Sequence, residues 1–250
     1  MSSTQALVSK EPLLENIKVP KHIGVIMDGN GRWAKARGLP RSEGHRAGVE
    51  SVRRIVELSI RYGVQCLTLF SFSSENWRRP PEEVNFIFGL LRRFVASDLA
   101  RLAAQNVRIR IIGDRDSLEA GMKSIIAEAE SKTAANTGLD LIIAFNYGAK
   151  AEIIDAVKRI AAKARAGEID IATIDEATIS QHLHTQDLPD PDLILRTSGE
   201  MRLSNFLLWQ SAYSELVFVE ESWPDFDEAV FLRALQEFTD RDRRFGGVES

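Results

Sequence analysis

The chain has 250 residues, of which 44% are hydrophobic and 27% charged, and its formal net charge is -4. This balance is typical of a soluble globular protein, and the length suits one large α/β domain at least as well as two small ones. The acidic total argues against a general nucleic-acid binder, so we expect no nucleic-acid partner. Cys66 is the only cysteine, which excludes an intramolecular disulfide, and we predict that it is a small buried hydrophobic residue.

Residues 1–20 are polar and are predicted to form a flexible N-terminal leader, which leaves residues 21–250 as a single domain. The leader lacks an apolar core with a cleavage site, so we expect no signal peptide. No run in the chain approaches the roughly 18 consecutive apolar residues of a membrane span. We therefore expect a cytoplasmic protein, with peripheral contact at the inner face of the membrane if its substrate or product lies there.

Apolar runs of five to seven residues alternate with segments whose apolar residues recur at helical spacing. In chain order we predict a strand at 22–27, a helix at 43–62, a strand at 64–70, a helix at 80–106, a strand at 107–112, a helix at 116–134, a strand at 139–145, helices at 150–166 and 175–184, strands at 192–196 and 215–219, and a helix at 226–242. This alternation predicts an α/β fold with a central, mostly parallel six-stranded sheet flanked by helices.

Four polar segments follow predicted strands, at the edge where sheets of this kind bind ligands. They are "DGNGRW" (28–33), "SFSSENWRRP" (71–80), "NYGAK" (146–150) and "TSGEMRLSN" (197–205). All four are rich in groups that are compatible with phosphate. The helix at 80–106 carries a wide apolar stripe, for which core packing is the simpler explanation. Beside phosphate-binding groups, the same stripe would also enclose a hydrophobic tunnel between sheet and helices for a hydrocarbon tail.

The first segment combines a carboxylate with two glycines and a group of arginines. Gly29 and Gly31 permit close backbone approach to an anion, and Arg32 and Arg41 supply positive charge. Asp28 would repel phosphate unless Mg²⁺ bridges them, and Mg²⁺ prefers one or two carboxylates together with phosphate oxygens. The alternative is a turn organised by Asp28 beside solvated arginines. That alternative is favoured for any single residue, whereas the phosphate site is favoured for the whole cluster.

Known phosphate and metal motifs do not describe this segment. A Walker loop would end in Gly-Lys-Ser/Thr, and an EF-hand would need a glutamate where Leu39 stands. The second and fourth segments add hydroxyls, an amide and further arginines, which again suit phosphate. A serine-rich helix cap explains the second segment equally well. Glu215, in the sixth strand, is either a second metal carboxylate or a glutamate at a strand edge.

Three long segments resemble the cis-prenyltransferases, and most closely those that make undecaprenyl diphosphate in bacteria: "HIGVIMDGNGRWAKARGLPRSEGHRAG", "FSFSSENWRRP" and "LILRTSGEMRLSNFLLWQSAYSELVF". The resemblance runs from about Lys21 to Gly247. It implies that an allylic diphosphate, usually farnesyl diphosphate, is extended by isopentenyl diphosphate units with Mg²⁺ as the cofactor. The product would be undecaprenyl diphosphate, the precursor of the lipid carrier for cell-wall synthesis.

The resemblance also implies roles for individual residues. Asp28 would hold Mg²⁺ and help the allylic diphosphate leave, Glu215 would join the metal shell, and Asn76 matches the position linked with proton removal. The allylic diphosphate would be bound by Gly29, Asn30, Gly31, Arg32, Arg41 and His45. The site around both substrates would be shaped by Trp33, Ser73, Ser74, Glu75, Trp77 and Arg79. Isopentenyl diphosphate would be bound by Arg196, Arg202, Leu203 and Ser204. Because a neutral amide is a poor base, we expect Asn76 to orient a proton acceptor.

Members of this family are typically homodimers, and Arg244 and Gly246 match an element that reaches the partner's site. A frayed basic terminus is the alternative. The chain departs from the family at Ala149, where a glycine is frequent, and at Phe145, where a small residue is frequent. A bulky ring at position 145 would narrow the tunnel, so a shorter or different product length remains open. A non-catalytic isoprenoid-binding subunit is a further alternative, against which the full set of charged residues argues.

Overall fold

The computed structural model describes residues 17–241. Within that range six strands form one sheet in the order β3-β4-β2-β1-β5-β6, and every neighbouring pair is parallel. The strands are β1 (His22–Ile26), β2 (Cys66–Ser73), β3 (Arg108–Ile112), β4 (Asp140–Tyr147), β5 (Leu193–Arg196) and β6 (Glu215–Phe218). The predicted α/β fold is confirmed, and the sheet is more uniformly parallel than predicted.

Seven α-helices flank this sheet in the described part of the chain. They are α1 (Asn30–Ala36), α2 (Arg41–Tyr62), α3 (Pro81–Ala104), α4 (Ala120–Thr133), α5 (Ala149–Arg165), α6 (Glu176–Ser180) and α7 (Glu228–Thr239). A 3₁₀ turn, Ser74–Arg78, joins β2 to α3. Five helices match the predictions at 43–62, 80–106, 116–134, 150–166 and 226–242 within a few residues. The helix predicted at 175–184 is wrong in length, because α6 ends at Ser180 and turns follow it.

Helix α1 was not among the helices predicted from apolar spacing, because its sequence contains glycine and follows another glycine. Tertiary packing explains why it forms. A Cβ atom added at Gly44 of α2 would lie 1.9 Å from the carbonyl oxygen of Asn30, so only a glycine there lets α1 and α2 approach so closely. This contact fixes the direction in which the chain leaves β1.

Buried side chains alternate between the two faces of the sheet, as period two requires. On β4, for example, Ile143 and Phe145 belong to the core beneath α2, α3 and α7, whereas Ile142 and Ala144 pack on the opposite face. Cys66 is buried in that second cluster, which confirms its prediction as a buried hydrophobic residue. Burial raises the pKa of the Cys66 thiol, so the group stays protonated.

The predicted leader lies mostly outside the described residues, and Arg244 and Gly246 lie outside them as well. The last leader residues are described: Ile17 packs against the core, and the backbone N–H of Lys18 donates to Thr239 Oγ1 on α7 at 3.0 Å. Between residues 17 and 241, each helix is too short or too polar to cross a membrane.

Candidate functional site

The loop after β1 brings Asp28 to the carboxyl end of the sheet through a tight turn. Gly29 has φ 97°, and an added Cβ there would lie 2.7 Å from Ser198 Oγ and 2.8 Å from Ser222 Oγ. Both the backbone conformation and the space therefore require glycine. Thr197 fixes the same turn, because its hydroxyl donates to the carbonyl of Asp28 at 2.7 Å and accepts from its N–H at 2.9 Å.

The Asp28 carboxylate is surrounded by positive charge. It accepts hydrogen bonds from Arg196 Nη2 at 2.8 Å and from the Gly29 N–H at 2.6 Å, and Arg32 Nη2 lies 3.4 Å away. Partial burial raises the pKa of Asp28, but the contacts with Arg196, Gly29 and Arg32 outweigh it and the net pKa is lowered. Asp28 is therefore ionised at neutral pH.

Arg196 lies at the end of β5, where it is buried beneath the site. Its Nη1 donates to Ser204 Oγ at 2.8 Å and to the carbonyl of Arg202, and its Nη2 donates to Asp28. Its Nε is buried without a hydrogen-bond partner among residues 17–241. A buried guanidinium with an unsatisfied N–H is costly to the protein alone, so an added acceptor such as a phosphate oxygen would stabilise it.

The segment 198–207 presents Arg202 and Ser204 in an unusual backbone conformation. Positive φ values occur at four of its residues that are not glycine: Ser198 (76°), Ser204 (50°), Asn205 (64°) and Leu207 (44°). Such conformations cost energy and cluster at functional sites. The segment is held by buried neighbours, since Phe206 and Leu207 are fully buried in the second core cluster.

A second group of basic side chains lies on α2 and before α3. Arg41, His45 and Arg79 approach the carboxylate of Glu83, at 3.4, 3.2 and 2.8 Å respectively. Burial lowers the pKa of His45, and the hydrogen bond with Glu83 offsets this only in part. His45 is therefore neutral near pH 7, while the two guanidinium groups keep their charge.

The side chain of Asn76 is engaged in capping the 3₁₀ turn. Its amide oxygen accepts from the Ser73 N–H at 3.1 Å, in a reciprocal capping box between the two residues. Its amide nitrogen remains able to donate toward the cavity that Asn76 lines. This arrangement agrees with an orienting residue better than with a base.

One cavity of about 400 Å³ joins these polar groups to an apolar interior. Its polar lining contains twelve of the predicted residues: Asp28, Gly29, Asn30, Gly31, Arg41, His45, Ser73, Asn76, Arg79, Arg196, Arg202 and Ser204. Its apolar lining comes from both layers: Val49, Val52, Leu69, Ile87, Leu90, Leu91, Phe94 and Ile143. The space predicted between sheet and helices is therefore present, with a charged mouth at the carboxyl end of the strands.

Several predicted residues lie beside this cavity rather than in its lining. Arg32 pairs with Glu200 at 2.6 Å near the mouth, and Leu203 packs against the second core cluster. The other four take part in hydrogen bonds or line a different space. Trp33 donates to Asp225, Trp77 donates to Asn146, Glu75 accepts from Asn205, and Ser74 lines a neighbouring cavity.

Glu215 lies far from Asp28 of the same chain. The prediction that the two carboxylates share a metal shell is therefore wrong within one chain. Glu215 is the first residue of β6, and the register places it level with Leu193 and Ile23, at the amino end of the sheet. Asp28 comes five positions after Ile23, so roughly 15 Å separates the two levels along the strands. Glu215 pairs instead with Arg241 at 3.2 Å.

The residues at the mouth fit Mg²⁺ only together with a phosphate ligand. Among residues 17–241 no group of three or more His, Cys, Asp and Glu side chains is placed to hold a metal ion. Asp28 offers one ionised carboxylate whose side chain is 30% exposed. Mg²⁺ commonly uses one or two carboxylates with substrate phosphates and water, so this donor set suits it.

Sequence reasoning missed Glu83, Thr197 and Asn205. The glutamates at the start of α3 suggested only a favourable helix N-terminus, so the contacts of Glu83 with Arg41 and His45, 42 and 38 positions earlier, stayed hidden. Thr197 carried a signal, because it follows Arg196 at a strand end. Asn205 lies within a predicted ligand segment, and its carbonyl and amide oxygens accept from the first two N–H groups of α5.

Comparison with known proteins agrees with this geometry. The sequence model of the prenyltransferase family described as "Putative undecaprenyl diphosphate synthase" matches residues 26–246. "Isoprenyl transferase 2" of Bradyrhizobium diazoefficiens is 54% identical over 248 residues, which are 99% of this chain and 98% of that protein.

Two solved structures are similar to most of this chain. Lavandulyl diphosphate synthase from Lavandula x intermedia, in complex with dimethylallyl diphosphate, has a TM-score of 0.89 and 38% identity, over 91% of this chain and 98% of that chain. A probable undecaprenyl diphosphate synthase from Campylobacter jejuni has a TM-score of 0.76 and 37% identity, over 92% of this chain and 100% of that chain. The names of these two proteins indicate different products.

Proposed function

The chain belongs to the isoprenyl transferase family of prenyltransferases, and we propose that it is a Mg²⁺-dependent cis-prenyltransferase. In this proposal it condenses isopentenyl diphosphate units onto an allylic diphosphate, farnesyl diphosphate, and makes undecaprenyl diphosphate for cell-wall synthesis. The observation that carries the proposal is the single cavity that joins a cationic mouth to an apolar interior. A diphosphate head with a hydrocarbon tail matches both parts.

Two sets of cations at the mouth suit two diphosphate groups. Arg41 would bind the allylic diphosphate with Arg79 beside it, which would shape the site around both substrates, and Arg196, Arg202 and Ser204 would bind isopentenyl diphosphate. Asp28, in the loop after β1, accepts a hydrogen bond from Arg196 of the second set at 2.8 Å. In each cycle the carbon–oxygen bond of the allylic diphosphate breaks, a carbon–carbon bond to isopentenyl diphosphate forms, and one proton leaves. Fixed guanidinium groups stabilise the negative charge that develops on the departing diphosphate.

Asp28 would hold the Mg²⁺, which when bound neutralises the diphosphate and polarises its oxygens. We propose that Asn76 does not remove the proton itself, since its amide oxygen already accepts from Ser73 and an amide is a weak base. Asn76 would instead orient the proton acceptor through its amide N–H groups. The apolar interior would exclude water from the new carbon–carbon bond and guide the growing chain.

The finer parts of the proposal concern the product, the assembly and the location. The relatives named for undecaprenyl diphosphate synthesis support that product. The similar lavandulyl diphosphate synthase is named for a different product, so product length is the part of the proposal that an assay must fix. We further propose a homodimer that works in the cytoplasm, with peripheral membrane contact during product release. A long apolar product requires such contact, because its hydrocarbon is insoluble in water.

The test is incubation of the purified protein with farnesyl diphosphate, labelled isopentenyl diphosphate and Mg²⁺, followed by chromatographic sizing of the products. We expect a long polyprenyl diphosphate that disappears on chelation of the metal. A shorter product would keep the chemistry and change the assigned length. Isoprenoid binding without any product would instead favour a non-catalytic subunit.

A further inference from the structure

We propose that Glu83 is a positioning residue for the cations that receive the allylic diphosphate, an inference that rests on the proposed function. Glu83 lies in the first turn of α3. Its carboxylate accepts a hydrogen bond from Arg79 Nη1 at 2.8 Å and from His45 Nε2 at 3.2 Å, and Arg41 Nε lies 3.4 Å away. Glu83 is thus the common partner of three groups that come from two separate segments of the chain.

Glu83 contacts these groups from outside the cavity. Arg41, His45 and Arg79 belong to the cavity lining, whereas Glu83 lies behind it with a side chain that is 13% exposed. Burial raises the pKa of Glu83, but the hydrogen bond from His45 and the charges of Arg79 and Arg41 outweigh this and lower the net pKa. The group is therefore an ionised carboxylate that supports the lining.

The contacts leave the cations free to bind a ligand. A guanidinium has five N–H donors in one plane, so the bond to Glu83 occupies part of Arg79 and Arg41 and leaves other donors for the cavity. The bond from Nε2 also fixes the ring of His45. Without Glu83 the two guanidinium groups would repel each other and sample more rotamers. Donors held in place by a supporting shell bind an anion without paying that ordering cost.

The direction in which anion binding changes when Glu83 is removed distinguishes a positioning role from simple neutralisation of nearby positive charge. If Glu83 only contributed negative charge near the site, its removal would strengthen the binding of an anion. If Glu83 positions the cations, its removal weakens that binding. Glu82 provides a matched control, because it lies in the same first turn of α3 and its side chain is exposed.

The experiment is isothermal titration of Mg²⁺-pyrophosphate into the full chain and its variants, together with steady-state kinetics. We expect Glu83→Ala to weaken pyrophosphate binding about tenfold, as is common for residues that orient binding groups, with Glu83→Gln in between. Glu82→Gln should bind as the unchanged protein does. The KM for farnesyl diphosphate should rise in parallel, while the KM for isopentenyl diphosphate stays the same. Circular dichroism melting checks that each variant is folded.

Two results would overturn the inference. One is equal or tighter pyrophosphate binding by folded Glu83→Ala and Glu83→Gln, and the other is a protein that binds no pyrophosphate before any substitution. The product assay reports on the proposed function separately. A protein that makes polyprenyl product, and whose Glu83 variants keep their pyrophosphate affinity, would retain the function and lose the positioning role.

Discussion

The amino and carboxyl ends of the sheet both bury titratable side chains. The two ends differ in how many of the hydrogen-bonding groups of these side chains have a partner within the protein. At the amino end, His22 Nδ1–H donates to the carbonyl of Pro189 at 2.7 Å, and its Nε2 accepts from the Thr68 hydroxyl at 2.8 Å. At the carboxyl end, Arg196 keeps a buried Nε without a partner among residues 17–241. Asp28 remains 30% exposed beside it.

This difference separates groups that stabilise the fold from groups that are suited to bind a ligand. His22 and Glu215 have partners from neighbouring strands and helices, so a ligand would have to break existing contacts. Asp28 and Arg196 also contact each other, yet they border a cavity and retain donors and exposed oxygen. The residue types alone do not decide function, since a histidine and a glutamate occur at both ends.

The largest expected effect is on turnover, from a change at the carboxyl end. We expect Asp28→Ala to lower kcat on the order of 10³-fold, because the variant loses the carboxylate for Mg²⁺ and leaves Arg196 without its counter-charge. The fold should persist, since Asp28 is partly exposed. Turnover is measured with labelled isopentenyl diphosphate at saturating Mg²⁺. Near-normal turnover under those conditions would rule out the metal role.

The second prediction concerns stability at the amino end. Burial lowers the pKa of His22 from 6.5 to about 4, whereas the unfolded chain keeps the ordinary value. As the pH falls from about 6.5 to about 4, the unfolded chain takes up a proton and the folded chain does not, so folding loses about 3 kcal/mol. Urea unfolding at pH 7 and pH 4.5 measures this loss.

The control is His22→Asn, which keeps an amide donor for Pro189 and cannot titrate in this range. We expect it to be less stable at pH 7, by about 1–3 kcal/mol for the lost contacts, but to lose less stability on acidification. Its kcat at pH 7.5 should stay close to that of the unchanged protein. An identical pH dependence of stability in both proteins would contradict the assignment to His22.

A matched pair of arginines compares the two ends directly. We expect Arg196→Lys to raise the KM for isopentenyl diphosphate about 30-fold, because lysine cannot serve Asp28, Ser204 and a phosphate in one plane. Arg241→Lys alters the ion pair with Glu215 at the amino end and should leave both KM values unchanged. Equal changes of KM in Arg196→Lys and Arg241→Lys would mean that the difference between the two ends of the sheet does not determine substrate binding.

Sequence patterns predicted the strands because each is a short segment rich in apolar residues, and they predicted most of the site because ligands bind at strand ends in such sheets. The resemblance then supplied roles that spacing alone left open. A sequence does not reveal register, and register puts Glu215 at the opposite end of the sheet from Asp28 of the same chain. Glu83 was missed because two of its three partners are distant in the chain: His45 lies 38 positions earlier and Arg41 lies 42 positions earlier.

The smallest expected effect comes from Phe145, which lies at the carboxyl end of β4 but is fully packed. Its ring contacts Phe72 and Phe88, with centroid distances of 5.5 and 4.8 Å, and it lies on the same face as Ile143 of the cavity lining. We expect Phe145→Leu to cost about 1 kcal/mol of stability and to change kcat little. Because the smaller side chain widens the space beside the cavity, products should become longer or stay the same in chromatographic sizing. Ile142→Leu, on the opposite face of β4, is the control and should leave product length unchanged. Clearly shorter products from Phe145→Leu would mean that this ring supports the cavity wall. Phe145 would then serve the fold, as the paired residues at the amino end do.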